Sequence, residues 1–319
     1  MRTYKVEELF NEYDITKKQG FLEVAHTEIR LPFTLISGKQ KGKTILITAG
    51  VHGAEYVGIE TSKNLSRIIE PKDVTGRIII IHTVNCSGFR ERLSAVTAED
   101  GENLNRIFPG DERGNISQRL AHFILTSLSK KVDFYIDMHG ADLHGNIRPL
   151  VFYPVAVDKE VSKIAKEAAQ ASGFPYLVAS TAKNGSYSRA ALEGTPSILT
   201  ELGGMGIWSK EEVDSYTDKI LNVLDYLQIH RTNSSEDMDI TYFEPVNEIL
   251  SKEEGFWYPF FKTGDGIKKG EKIGEIKDVF DNLLGEYHSP TDGIVLYQTV
   301  ALSVKAEGFL SAISAIEKV

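Results

Sequence analysis

Four short apolar runs, each ending in polar or metal-binding side chains, constrain this chain more than any other feature. They are TILITAG (44–50), RIIIIHTVN (77–85), VDFYIDMHG (132–140) and SILTELG (197–203). A continuous apolar run of this length, bounded by glycine or polar residues, reads as a strand buried on both faces. Segments with helical spacing of apolar residues follow at 58–70, 116–131, 161–173 and 210–228, and Gly173 is expected to cap the third. This alternation predicts an α/β domain with a largely parallel or mixed sheet. Ligands of such sheets bind beyond the carboxyl ends of the strands. His52, Asn85, His139 and Glu201 all fall at or just past such ends.

His52 and Glu55, in ITAGVHGAEYVG, and His139, in FYIDMHGAD, form a candidate metal set of two imidazoles and one carboxylate. That is a catalytic rather than structural zinc set, because three protein ligands leave one of four coordination positions open for chemistry. The same ligands also accept cobalt or manganese. His26, His82, His122, His144 and His230 carry no such signal, and His82 and His122 fall within periodic apolar segments, as core or helix-face residues do.

A chain of 319 residues holds one large domain or two of ordinary size, and 41% hydrophobic with 25% charged residues is the balance of a globular protein. A net charge of −9 argues against nucleic acid or anionic membrane as a partner. No apolar run approaches the roughly 20 residues of a membrane span, and the N-terminus MRTYKVEELFNEYD has no signal-peptide core. The single cysteine, Cys86, excludes an intrachain disulfide framework and is expected to be a small packed residue. A cytoplasmic protein is the expectation.

Three regions are expected. Residues 1–40 alternate as short strands and form an N-terminal β segment packed on a catalytic domain at 41–230. The polar stretch HRTNSSEDMD (230–239) reads as a linker, and 240–319, rich in glycine and proline turns, as a small all-β unit.

The ordered series GVHGAE, NCSGFRER, DGENLNRIFPGD, YIDMHG and TPSILTELGG resembles the succinylglutamate desuccinylase and aspartoacylase family, the deacylase branch of the zinc carboxypeptidases, over roughly residues 40–230. The resemblance implies a zinc-carboxypeptidase-like mixed sheet flanked by helices, with a C-terminal lipoyl-like barrel. It implies one zinc ion held by His52, Glu55 and His139. Glu201 corresponds to the catalytic carboxylate, which takes a proton from the attacking water and passes it to the leaving nitrogen. Asn105 and Arg106 match the pair that binds a substrate carboxylate, for which a planar guanidinium is suited. Arg92 aligns with the arginine that stabilises the oxyanion, with Arg90 as its competitor, and Arg189 with a second carboxylate-binding arginine. Asn103 stands where several relatives have an aspartate behind a zinc histidine, and an amide orients an imidazole without adding charge. Lys277 lacks the context of a lipoylation site and reads as a solvated lysine.

The expected activity is zinc-dependent removal of an acyl group from a small N-acyl amino acid, with no nucleic-acid or membrane partner. The C-terminal unit is expected to cover the cleft or to make a homo-oligomer contact. A carboxypeptidase acting on peptides uses the same ligands and is the alternative. A non-catalytic binding protein of the same fold is the remaining reading, against which stand the intact ligand set and Glu201.

Overall fold

The computed structural model of the chain describes residues 1–11, 14–232 and 239–317, so most of the expected linker at 230–239 lies outside the described residues. In chain order the first strands are β1 (Thr3–Tyr4), β2 (Thr16–Glu23), β3 (Arg30–Ser37), β4 (Gln40–Ala49), β5 (Thr75–Ile81) and β6 (Phe134–His139). Then come β7 (Gly145–Ile147), β8 (Leu150–Pro154), β9 (Tyr176–Ser180), β10 (Ser197–Glu201) and β11 (Thr241–Phe243). The α-helices are α1 (Tyr56–Ile68), α2 (Cys86–Glu91), α3 (Ile116–Phe123), α4 (Lys159–Ala171), α5 (Ser186–Leu192) and α6 (Lys210–Tyr226). The helix expected at 116–131 stays helical throughout, but changes after α3 to a π turn and then a tight 3₁₀ turn.

Ten strands form one mixed sheet in the order β1-β2-β3-β5-β4-β6-β10-β8-β9-β11. Its centre, β5-β4-β6-β10, is parallel. The apolar runs are continuous because helices cover both faces. Ile45, Ile47, Ile78, Ile80, Ile136 and Met138 face a core shared with α1, α4 and α6. Leu46, Ile79, Ile81 and Tyr135 face the opposite core, with Leu120, Leu128 and Tyr187 from α3, the turn after it and α5. Successive side chains point to opposite faces, so each strand feeds both cores.

One register and one hydroxyl position the candidate site. In the parallel pair β6-β10, His139 is the Cα partner of Glu201. The two strand ends are tied by Tyr216 of α6, whose hydroxyl lies 3.0 Å from the His139 carbonyl and 2.8 Å from that of Thr200.

The C-terminal strands are β12 (Asn247–Leu250), β13 (Gly255–Pro259), β14 (Gly266–Ile267), β15 (Lys272–Lys277), β16 (Leu283–His288), β17 (Gly293–Thr299), β18 (Ser303–Val304) and β19 (Phe309–Ser314). They make two small antiparallel sheets, β12-β19-β17-β14 and β16-β15-β13-β18. Trp257, Ile273, Ile276, Leu310 and Ile313 pack between them. β7 pairs with β17, Ile147 opposite Tyr297 and Gly145 opposite Thr299, so the loop after β6 is part of a C-terminal sheet. Among the described residues no helix is long and apolar enough to cross a membrane.

Phe243, fully buried in β11, joins Ile147, Val178 and Leu296 in the cluster that fastens these sheets to the large one. Its replacement by alanine is expected to cost about 3–5 kcal/mol in urea unfolding. A loss below about 1 kcal/mol would show that the cluster collapses around the cavity.

Candidate metal centre and active site

β4 ends at Ala49, and the chain crosses a tight loop before α1 starts at Tyr56. His52 and Glu55 stand in that loop, 9% and 5% exposed. The loop packs so closely on α2 that a Cβ at Gly53 would lie 2.2 Å from the Phe89 nitrogen. A side chain at that position would push the whole loop outward.

His139, 1% exposed, enters from the end of β6. Glu55 bridges the two imidazoles: Oε1 lies 2.6 Å from His52 Nδ1 and Oε2 lies 2.9 Å from His139 Nδ1. The rings meet edge to face with centroids 5.0 Å apart. One ligand atom from each of the three residues falls within 4.8 Å of the others, a group able to hold a metal ion.

The far nitrogens decide how the rings are used. His52 Nε2 lies 3.1 Å from Asn103 Oδ1, and His139 Nε2 lies 3.0 Å from Asp137 Oδ2. A proton on each Nε2 serves these oxygens, so that each Nδ1 offers its lone pair to a metal once any proton it shares with Glu55 has left, the usual outer support of a ligating histidine. Asn103 meets its imidazole through the amide oxygen.

The charges fit a cation. Burial alone would raise the Glu55 carboxyl, but His139 and His52 outweigh it and bring it down to about 2. Burial disfavours charge on His139, and the Glu55 and Asp137 carboxylates overcome this, holding its proton well above the usual imidazole range. Two carboxylates thus flank His139 and favour positive charge there.

Glu201 stands beside His139, and its Oε2 is buried without a hydrogen-bond partner. Burial first, and then the Glu55 charge, push this carboxyl up to about 8, against the lowering influence of His139 and Arg106. A carboxyl held near neutrality in a site is suited to accept and return a proton.

Asn105 is 6% exposed and Arg106 exposed, on the turn after Asn103. Asn103 Oδ1 also accepts the Asn105 N–H at 2.9 Å, so one amide serves both His52 and this turn. Arg92 closes α2 in the left-handed conformation at φ 55, where glycine is the usual residue. Arg90 lines a different cleft of about 660 Å³, with Phe21, Cys86, Glu99 and Leu120. Burial raises the Cys86 thiol there to about 11, which makes it inert.

Arg189 lies on α5. Its guanidinium pairs with Glu193 one helical turn on, at 2.5 Å, and Glu193 also holds Lys130. Three neighbours of the site were not singled out from the sequence: Asp137, Ser186, and Tyr297 from β17. The hydroxyl of Tyr297 is raised well above its usual range, by burial and then by the charges of Asp142, Glu201 and Glu55. A lone acid within the apolar run FYIDMH was the available signal for Asp137. Ser186 and Tyr297 had none, being distant in sequence from the ligands.

Comparison with known proteins places the chain in a family. The family model for the succinylglutamate desuccinylase/aspartoacylase catalytic domain matches residues 41–227, more than half of the chain. The chain is 27% identical over 306 residues to the N-alpha-acetyl-L-2,4-diaminobutyric acid deacetylase of Halomonas elongata, covering 92% of this chain and 88% of that protein. The product-bound structure of the ectoine utilization protein EutE (DoeB) from Ruegeria pomeroyi superposes with a TM-score of 0.86 at 24% identity, over 95% of this chain and 97% of that one. A succinylglutamate desuccinylase/aspartoacylase from Rhodobacter sphaeroides gives 0.83 at 26% identity, over 94% and 96%.

The raised Glu201 carboxyl has a consequence for stability. Its pKa is higher in the folded protein, about 8, than its ordinary 4.5. The folded state therefore holds the proton more tightly, and stability from this group falls as pH rises from 4.5 through 8. Metal-free Glu201→Gln is expected to gain on the metal-free wild type in urea unfolding between pH 5 and pH 8. A stability difference that stays constant with pH would contradict the burial of this carboxyl.

Proposed function

This chain belongs to the succinylglutamate desuccinylase/aspartoacylase family, and from that premise we propose that it is a zinc-dependent amidohydrolase removing the acyl group from a small N-acyl amino acid. The observation that carries the reading is the unpartnered, proton-affine carboxyl of Glu201 beside the His52, Glu55 and His139 group. These three residues would hold the ion, two through Nδ1 and one through a carboxylate oxygen. When bound, zinc supplies a Lewis acid that makes water nucleophilic at neutral pH.

The chain's own residues do the rest. Glu201 takes the proton of the attacking water and returns it to the leaving nitrogen, so that the amide bond is replaced by a free carboxylic acid and a free amine. Arg92 donates to the oxyanion that develops on the acyl oxygen. Its left-handed backbone supports this role, since a non-glycine residue kept in such a conformation is often held there by function. Asn105 and Arg106 grip the carboxylate of the amino-acid portion.

The C-terminal sheets, read as a lipoyl-like unit, bring Tyr297 near enough for its hydroxyl to feel the charges of Glu201, Glu55 and Arg106, and so are read as a wall of the substrate site. This favours a small substrate over a long peptide, and so the deacylase over the carboxypeptidase. The name of the Halomonas relative makes an N-acetylated diamino acid the first compound to test.

Zinc-loaded protein is expected to release amino acid from a small N-acyl amino acid, and Glu201→Gln to abolish that release. Cleavage of peptides in preference would favour the carboxypeptidase. Arg92→Gly relieves the left-handed backbone and is expected to keep the unfolding midpoint while lowering kcat by ~10²–10³. Arg90→Ala is expected to retain turnover. The reverse pattern would move the oxyanion role to Arg90.

A further inference from the structure

Asn105 and His139 belong to different segments, yet one residue touches the support of both. The Asn105 amide oxygen accepts the backbone N–H of Ser186 at 2.9 Å. A backbone N–H only donates, so the amide orientation is fixed: Oδ1 faces Ser186, and Nδ2 remains as the group able to donate to a ligand. The approach is close enough that a Cβ on the preceding Gly185 would lie 2.8 Å from this oxygen.

The Ser186 hydroxyl donates to Asp137 Oδ2, the oxygen that also receives His139 Nε2. The other Asp137 oxygen accepts from Thr48 Oγ1 at 2.6 Å. Ser186 is 1% exposed and Asp137 fully buried, so these bonds do not compete with water. A buried polar network of this kind holds one geometry when every member is satisfied.

We infer that Ser186 is a positioning residue that locks the metal centre and the substrate grip into one frame. Its hydroxyl steadies Asp137 behind His139. Its N–H turns Asn105 so that only a donor is presented, which selects a carboxylate and rejects an ammonium at that position. The inference rests on the zinc deacylase reading.

Two variants separate the arms. Ser186→Ala removes the hydroxyl and keeps the N–H. Ser186→Pro removes both, and proline is tolerated here because residue 186 is the first of α5 and Gly185 is extended, at φ −90 and ψ 169. Zinc titration into metal-free protein is expected to show affinity weakened at least ~10-fold in both variants. The KM for the N-acyl amino acid is expected to stay near wild type in Ser186→Ala and to rise ~10-fold in Ser186→Pro, with kcat equal in the two. Should Ser186→Pro fail to fold, Gly185→Ala displaces the same amide and gives the same KM reading.

Unchanged zinc affinity in Ser186→Ala overturns the metal arm, and equal KM in the two serine variants overturns the substrate arm. A wild type that binds zinc but hydrolyses no N-acyl amino acid overturns the deacylase reading and the substrate arm. The zinc titrations still decide the metal arm in that case.

Discussion

The Glu55 carboxylate, buried between His52 Nδ1 and His139 Nδ1, is the interaction on which the rest of the site depends. An ionised carboxylate away from water is costly unless paired and hydrogen-bonded. Here both partners are imidazoles, each held from behind by an oxygen of Asn103 or Asp137. Burial, and then this same charge, drive the neighbouring Glu201 toward its protonated form. One buried negative centre thus joins the two rings, attracts a cation, and adds to the proton affinity that burial gives a second carboxyl.

Much of this was legible in the sequence because it is written locally. The apolar runs around Ile47, Ile79 and Ile136 are buried on both faces, and their ends deliver His139 and Glu201 side by side. The spacing of His52 and Glu55 is likewise a short-range property of one loop. The direction of Arg189 is not legible in the sequence, because a helical side chain's direction depends on phase, and in the structure its guanidinium meets Glu193 one turn later. Ser186 was invisible because it meets Asn105 from 81 positions away. Tyr297 reaches the site only through the pairing of β7 with β17, which no periodicity announces.

The C-terminal strands are more than an appendage. β17 pairs with the loop that follows His139, and the backbone N–H of Val300 donates to the His144 carbonyl at 2.7 Å. Packing of these sheets therefore bears on the segment next to a metal-ligand candidate.

The central claim is that His52, Glu55 and His139 form one metal centre, and metal stoichiometry tests it most directly. Metal-free protein titrated with zinc is predicted to take up one ion per chain with release of protons, because the imidazolium proton held by His139 must leave. Glu55→Gln is predicted to lose that uptake while keeping the fold by circular dichroism. Uptake of zinc by the folded Glu55→Gln protein with unchanged affinity and stoichiometry would contradict the account.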